Sequence, residues 1–151
     1  MKPLVVLLFT FVLSLFVIRL VRGEYDIGQS GRVAMSVMLL FTAIGHFAFT
    51  KGMTMMLPDF IPYKCEVVYL TGLIEIVAAV GLFIPSLRQI TAWLLIVFFV
   101  LVLPANIYAA MHQVNYQKGT LDGEGMMYLW FRIPLQVLFI TWVYLSAIYF
   151  R

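Results

Sequence analysis

The chain has 151 residues, of which 64% are hydrophobic and only 11% are charged, and its formal net charge is +3. Soluble domains average about 45 to 50% apolar residues, so a soluble core of this size could not hide the apolar surface. The few cations suit the headgroups of membrane lipid and form no basic stripe for nucleic acid. Cys65 is the single cysteine, which excludes an internal disulfide and a thiolate metal cage within one chain. We therefore predict an all-α membrane protein.

Five apolar stretches predict five membrane-spanning helices. The first, residues 4–18, is followed by Arg19 and Arg22 and by no small-residue cleavage site, so we predict an uncleaved helix rather than a signal peptide. The other predicted spans are residues 33–49, 67–84, 90–111 and 126–150, each about long enough for ~30 Å of hydrocarbon. The short turn between the third and fourth spans predicts antiparallel neighbours.

Polar or broken segments separate these spans. Residues 23–31 and 112–125 are rich in glycine and polar side chains, and we predict loops there. Residues 51–64, KGMTMMLPDFIPYK, mix two prolines with methionines and aromatics. Such a segment is too broken to span, and we predict that it lies at the membrane interface as a lid or rim.

The positive charges predict the orientation. Lys2 precedes the first span, whereas Arg19, Arg22 and Arg32 follow it as flanking or loop residues. The positive-inside rule then places the 19–32 loop and the carboxyl terminus in the cytoplasm. At the end of the last span an aromatic and cationic interface anchor is predicted, formed by Tyr144, Tyr149 and Arg151.

Five polar side chains fall inside the predicted spans at similar depths. Counted at ~1.5 Å per residue from the side of the two longer loops, the depths are roughly 7 Å for His46 and Asn106, roughly 9 Å for Arg132, roughly 13 Å for Glu75 and roughly 15 Å for Gln136. Because the helices alternate in direction, this agreement does not follow from closeness in sequence. It predicts one polar pocket beneath residues 51–64 and 112–125, with Glu75 as a candidate catalytic residue.

The helix faces agree with this pocket. Glu75 lies on a stripe of small residues that includes Gly72, and such a stripe lets another helix approach closely, whether within the chain or in a homo-oligomer. On the last span Tyr128, Arg132 and Gln136 recur every four residues and share a face.

Two prolines inside the predicted spans free backbone carbonyls. Pro104 releases the carbonyl of Val100, and Pro134 acts in the same way on the last span. In a membrane a neighbouring donor must satisfy such carbonyls, and the amides of Asn106 and Gln136 have the right depth. Structural repair and ligand binding both stay open for these two amides.

Two interpretations of the charged residues also stay open. In the structural one, Glu75 and Arg132 form a buried ion pair that joins the third span to the fifth. In the functional one, Glu75 exchanges a proton while Arg132 or His46 holds the counter-group of a small polar head. No metal site is predicted, and His46 and His112 lack the spacing motif that would favour haem.

The order of five stretches is similar to the DoxX-like family of small bacterial membrane proteins over about residues 33–150. These stretches are GHF at 45–47, MLPDFIPY at 56–63, VYLTGLIEIVAAVGLFIP at 68–85, LPANIYAAMH at 103–112 and RIPLQVLFITWVY at 132–144. The resemblance implies a four-helix transmembrane bundle over residues 33–151 in the bacterial inner membrane, to which residues 1–32 add a transmembrane helix and a polar loop. The family's recurrent polar positions match Glu75, Pro104, Asn106, Arg132, Pro134 and Gln136.

The resemblance also implies a function. The namesakes of the family are associated with thiosulfate:quinone oxidoreductase, other members with membrane-bound oxidative-stress complexes, and a related eukaryotic branch with receptor assembly. We therefore expect the protein to bind a small lipophilic ligand, with a quinone as the candidate cofactor. We also expect it to be an accessory subunit of a membrane redox system, a candidate quinone-linked oxidoreductase subunit that works with a redox partner protein. The predicted ligand-binding residues are His46, Glu75, Asn106, Tyr128, Arg132 and Gln136. The rival interpretations are a non-enzymatic assembly factor and a small proton-coupled transporter.

Overall fold

The computed structural model describes residues 2–150, and within that range it is helical without any strand. In chain order the helices are α1 (Lys2–Arg22), α2 (Ile27–Ala48), α3 (Thr50–Thr54), α4 (Lys64–Gly81), α5 (Arg88–Met111) and α6 (Met126–Val143). The last helix continues as a π-helical segment over Tyr144–Tyr149. Of the predicted terminal anchor, Arg151 lies outside the described residues.

Four of these helices are long and apolar enough to cross a membrane. They are α1, α2, α5 and α6 with its π-helical extension, and they contain 21, 22, 24 and 24 residues. This finding indicates membrane association. Helix α4 has 18 residues and carries Lys64, Glu66 and Glu75, so its composition alone does not mark it as a fifth span. The count of five crossings therefore stays a prediction.

Helix α2 is the centre of the packing. It lies against α1 and α4 along much of its length and also contacts α6 and the π-helical segment. Helix α5 packs mainly on α6, and it meets α4 beside their connecting turn, where a Cβ added at Gly81 would lie 2.5 Å from the Thr91 hydroxyl. The first helix does not stand apart, because Leu7 is fully buried and Phe11 packs edge-on against Trp142.

The apolar side chains are divided between a small core and a large outer surface. The core includes Leu7, Met35, Leu39, Leu95 and Val143, which are almost completely buried. Large apolar side chains on the outward faces of all the long helices are exposed. A surface of that kind suits hydrocarbon better than water, which agrees with membrane association.

The start of α2 corrects the sequence analysis. The predicted loop 23–31 is wrong beyond Asp26, because α2 begins at Ile27 and the Asp26 carboxylate caps it by accepting from the Gln29 amide at 2.7 Å. Glycine suggested a loop there, but Gly28 and Gly31 serve close packing. A Cβ at Gly28 would lie 2.2 Å from the Phe150 carbonyl oxygen, and one at Gly31 would lie 2.6 Å from the Ser146 Cβ.

Arg32 is consequently a buried residue of α2 and not a loop cation. Its side chain is 7% exposed, and Nη1 donates to the carbonyl oxygens of Ser146 at 2.8 Å and Phe150 at 3.1 Å. These carbonyls stand at the end of the last helix, where the final carbonyl groups have no partner within the helix. Arg32 therefore joins the end of the last helix to α2. Because it is buried and bonded to backbone carbonyls, Arg32 does not count as a free loop cation in the prediction of the membrane orientation.

Candidate functional site

A cavity of about 450 Å³ lies among α2, α4, α5 and α6. Its polar lining residues include His46, Thr71, Glu75, Asn106, Arg132 and Gln136, while Met53, Met56 and Leu57 line it from the 51–64 segment and Tyr116 and Gln117 from the 112–125 loop. The structure thus brings the five polar side chains of the predicted pocket to one cavity beneath those two segments. Whether these residues bind a ligand stays a prediction.

Gly52 lets the 51–64 segment and the 112–125 loop, the two segments of the rim, approach each other closely. A Cβ added to Gly52 would lie 1.8 Å from the Tyr116 carbonyl oxygen, so only a glycine permits this contact. The ring of Tyr116 also packs edge-on against Phe49. The short helix α3 and the 112–125 loop therefore form one continuous wall of the cavity, which agrees with the prediction of a rim.

Glu75 places a buried carboxyl oxygen without a hydrogen bond at the cavity. It is 6% exposed, and its Oε2 atom has no hydrogen-bond partner among residues 2–150. The closest opposite group is His46, whose Nε2 lies 3.5 Å from Glu75 Oε2. A buried carboxyl group without hydrogen bonds is costly, so either a shared proton or an occupant of the cavity must stabilise it.

The ring of His46 is held by α4. Its Nδ1 lies 3.1 Å from the Val68 carbonyl oxygen and 3.0 Å from the Thr71 hydroxyl oxygen. Thr71 itself donates to the same Val68 carbonyl at 2.8 Å. These contacts fix the ring orientation and direct Nε2 to the carboxyl group of Glu75.

The small-residue stripe of α4 is what permits this approach. A Cβ added to Gly72 would lie 2.9 Å from the Cβ of His46, and further along the same face the Ser36 hydroxyl donates to the Ala79 carbonyl at 2.9 Å. The predicted stripe is therefore covered by α2 within one chain. Because Gly72 brings the two backbones together at the level of His46, its structural role is local to the candidate site.

Arg132 does not pair with Glu75. Its guanidinium carbon lies 4.8 Å from the centre of the Tyr128 ring and 5.9 Å from that of Tyr116. The ion pairs found in residues 2–150 are His46 with Glu75, Asp59 with Lys64, and Lys118 with Asp122. The predicted Glu75–Arg132 ion pair is therefore wrong, because α4 packs along α2 and its carboxyl group reaches His46 first.

The two amides form a hydrogen-bonded chain with a tyrosine. Tyr128 lies outside the wall of the cavity, and its hydroxyl lies 3.5 Å from Asn106 Oδ1. Asn106 Nδ2 donates to Gln136 Oε1 at 3.2 Å, and Gln136 Nε2 donates to the carbonyl of Phe99. This chain joins α5 to α6, and it favours the structural interpretation of both amides.

The carbonyl that receives Gln136 differs from the predicted one. The prediction named Val100, four residues before Pro104, whereas the acceptor is Phe99. A proline ring clashes with the turn before it and opens the helix locally, so the adjacent carbonyl is also available. Pro104 and Pro134 both lie inside helices, as predicted.

Most residues that line the cavity were not among the predicted site residues, and some of them carry a polar group near the candidate site or the rim. Thr71 lies one turn before Glu75 on the same face of α4, and that spacing could have indicated its role beside His46. Lys2 and Tyr116 also line the cavity, but they come from a terminus and a loop, where helical spacing gives no signal. No group of three His, Cys, Asp or Glu residues that could hold a metal ion occurs within residues 2–150.

Comparison with known proteins gave one match. A family model described as a domain of unknown function, DUF8561, matches residues 35–147, which include most of α2 and all of α3 to α6. No curated protein and no solved structure matches the chain. The match carries no function and does not test the resemblance to the DoxX-like family, which stays a prediction.

Proposed function

This chain belongs to the family of domains of unknown function DUF8561, and we propose that it binds a small lipophilic ligand with a polar head in the cavity beside Glu75. We further propose that the ligand is a quinone and that the protein is an accessory subunit of a membrane redox system. In this proposal α2, α4, α5 and α6 form a four-helix bundle in the bacterial inner membrane, α1 is an additional N-terminal span, and the carboxyl terminus is cytoplasmic.

The observation that carries the proposal is the unsatisfied carboxyl group of Glu75 in a cavity of suitable size. Small-ligand pockets usually have volumes of ~300 to 1,000 Å³ and apolar walls with a few placed polar groups. The cavity volume of about 450 Å³ falls in that range. Its apolar wall includes aromatic and methionine side chains, among them Phe41, Met53, Phe98 and Phe139.

The charged groups of the cavity support a ligand with a polar head. Glu75 and Arg132 both line it, yet neither is the other's partner. The guanidinium of Arg132 lies beside the rings of Tyr128 and Tyr116, and it has no carboxylate partner among residues 2–150. A ligand that hydrogen-bonds to both groups would satisfy each of them, and such bonds are stronger than those between neutral groups.

The redox part of the proposal is supported by chemistry and by resemblance. Interconversion of a quinone and its reduced form exchanges protons, so a site for it needs a proton-exchanging group beside an apolar slot. His46 and Glu75 are such a pair, and they lie on the wall of the cavity. The association with a redox system rests on the similarity of the chain to the DoxX-like family.

The test is the identity of what copurifies with the protein. We would purify the full chain in mild detergent and analyse its organic extract by mass spectrometry and ultraviolet-visible spectroscopy. We expect a stoichiometric quinone or related lipophile that falls at least about tenfold in Arg132→Met, the loss that follows from one hydrogen bond to a charged group.

Arg19→Met is the matched control, because Arg19 also lies over a tyrosine ring, 5.2 Å from the centre of Tyr25, but outside the cavity. This variant should retain the full amount of the lipophile. Bulk phospholipid alone in the wild-type extract would contradict the proposal. That result would favour the rival interpretation of an assembly partner, in which the polar side chains of the cavity are purely structural.

A further inference from the structure

We infer that the Glu75 end of the cavity accepts only hydrogen-bond donors, so that its ligand is a lipophilic molecule with a hydroxyl group. This inference rests on the proposed function, since it names the polar head of the ligand bound in the same cavity. It follows from the number of protons that His46 and Glu75 can hold.

The first step concerns the Nδ1 atom of His46. A backbone carbonyl oxygen can only accept hydrogen bonds, and the carbonyl of Val68 lies 3.1 Å from Nδ1. An unprotonated Nδ1 would direct its lone pair at that oxygen. The Thr71 hydroxyl lies 3.0 Å from Nδ1 and 2.8 Å from the same carbonyl oxygen. When its single hydrogen is directed at the carbonyl, the hydroxyl oxygen can accept from Nδ1, and the hydrogen of the ring is accordingly assigned to Nδ1.

The second step concerns the opposite side of the ring. With a hydrogen on Nδ1, the Nε2 atom of a neutral His46 is an acceptor, and it faces Glu75 Oε2 at 3.5 Å. If Glu75 were ionised beside a neutral ring, two acceptors would oppose each other in a buried place. One proton must therefore lie between Nε2 and the carboxyl group.

A second proton on the pair is disfavoured by the surrounding charges. The other charged side chains on the wall of the cavity are Lys2 and Arg132, and both are cations. A doubly protonated pair would add a further positive charge to this wall, and like charges repel each other. One proton is therefore assigned to the pair.

The third step gives the selectivity. Whether the shared proton is on Nε2 or on Oε2, the remaining capacity of the Glu75 carboxyl group is that of an acceptor. Arg132, in contrast, offers donors alone. The cavity therefore suits a molecule that donates from a hydroxyl group to Glu75 and accepts at a second oxygen from Arg132. Among quinone-type ligands this favours the reduced form, which has hydroxyl groups, over the oxidised form, which has only carbonyl groups.

The test compares two probes that differ only in the donor. The full chain in lipid nanodiscs would be dialysed to equilibrium against para-hydroxyoctanophenone or its methyl ether, para-methoxyoctanophenone, with empty nanodiscs to subtract partition into lipid. We expect the hydroxyl compound to bind at least about tenfold more tightly, because the ether offers no donor for the remaining acceptor capacity of the Glu75 carboxyl group.

Two substitutions at Glu75 separate the acceptor from the charge. Glu75→Met has a similar size and no acceptor of comparable strength, so the preference should fall to near unity. Glu75→Gln can donate from its amide nitrogen to His46 Nε2 and still present its oxygen to the cavity, so it should keep the preference. Thermal unfolding of each variant in detergent checks that the fold is retained, and Glu66→Gln on the exposed start of α4 is the matched control.

The outcomes separate the inference from the proposed function. Equal binding of both probes by the wild type would overturn the inference and leave lipophile binding intact. A preference that persists in Glu75→Met, or one that is lost in Glu75→Gln, would overturn the proton assignment. If neither probe binds, the inference fails, while the proposed function is still decided by the lipophile found in the organic extract.

Discussion

The buried guanidinium of Arg32 offers the sharpest test of the packing. Arg32 is 7% exposed, and its Nη1 donates to the carbonyls of Ser146 and Phe150 at 2.8 and 3.1 Å. A hydrogen bond to a charged group contributes about 1.5 to 3 kcal/mol, so two give about 3 to 6 kcal/mol. Removing the guanidinium also removes the cost of burying its charge. We therefore expect Arg32→Met to lower the free energy of unfolding by about 3 kcal/mol.

The measurement is an unfolding titration with sodium dodecyl sulfate in mixed micelles, followed by far-ultraviolet circular dichroism. Arg22→Met is the matched control, because the Arg22 side chain is exposed and its bond to Gln29 Oε1, at 2.7 Å, is also exposed. That variant should change the free energy of unfolding by no more than about 0.5 kcal/mol. If the free energies of unfolding of the two variants differed by less than about 1 kcal/mol, the conclusion that Arg32 stabilises the packing of the last helix on α2 would be refuted.

Two further predictions concern the approach of α2 to α4 and the rim of the cavity. Gly72→Ala should destabilise the protein by about 1 kcal/mol in the same titration, because overpacking against the Cβ of His46 at 2.9 Å outweighs the gain in helix propensity. The control is Gly45→Ala, where the nearest contact of an added Cβ is 3.6 Å away, and it should be neutral or stabilising. A larger loss of stability in Gly45→Ala than in Gly72→Ala would contradict the geometry. On the rim, the hydrogen bond and the charge of Lys64 lower the pKa of Asp59. The Asp59 carboxylate should therefore titrate with a pKa below about 3.9 in a carbon-13 NMR titration, and Lys64→Met should raise that pKa. Because the folded-state pKa is depressed, the pair stabilises the folded state above about pH 4. This stabilisation is lost as the pH falls through the folded-state pKa. An unchanged pKa in Lys64→Met would contradict the pairing.

The hydrophobic runs predicted the positions of the long helices, with the start of α2 as the exception. Runs at 90–111 and 126–150 correspond closely to α5 (Arg88–Met111) and to α6 with its extension to Tyr149. The helical rise of ~1.5 Å per residue is constant, so counting along the runs predicts His46, Glu75, Asn106, Arg132 and Gln136 at one level. The structure places all five on the wall of one cavity, and their depth in the membrane stays a prediction.

The start of α2 shows where local sequence signals failed. The segment GEYDIGQSG resembles a loop by composition, and Gly23, with a φ of 78°, does lie in the bend that follows α1. Only the docking of the last helix explains Gly28 and Gly31. A glycine that permits close packing and a glycine that permits a turn are identical in sequence. Arg32 was misplaced for the same reason, because its acceptors are backbone carbonyls more than a hundred residues away.

The sequence by itself determined the all-helical class of the protein, the approximate helical runs and the set of polar side chains that share one level, because these depend on composition and on the regular geometry of one helix. Only the tertiary structure decided which polar groups meet. Glu75 pairs with His46 and not with Arg132 because α4 packs along α2, and Gln136 reaches Phe99 because α6 packs along α5. The choice of neighbour and the rotation of each helix are set by side-chain packing across the whole bundle, which no single helix encodes.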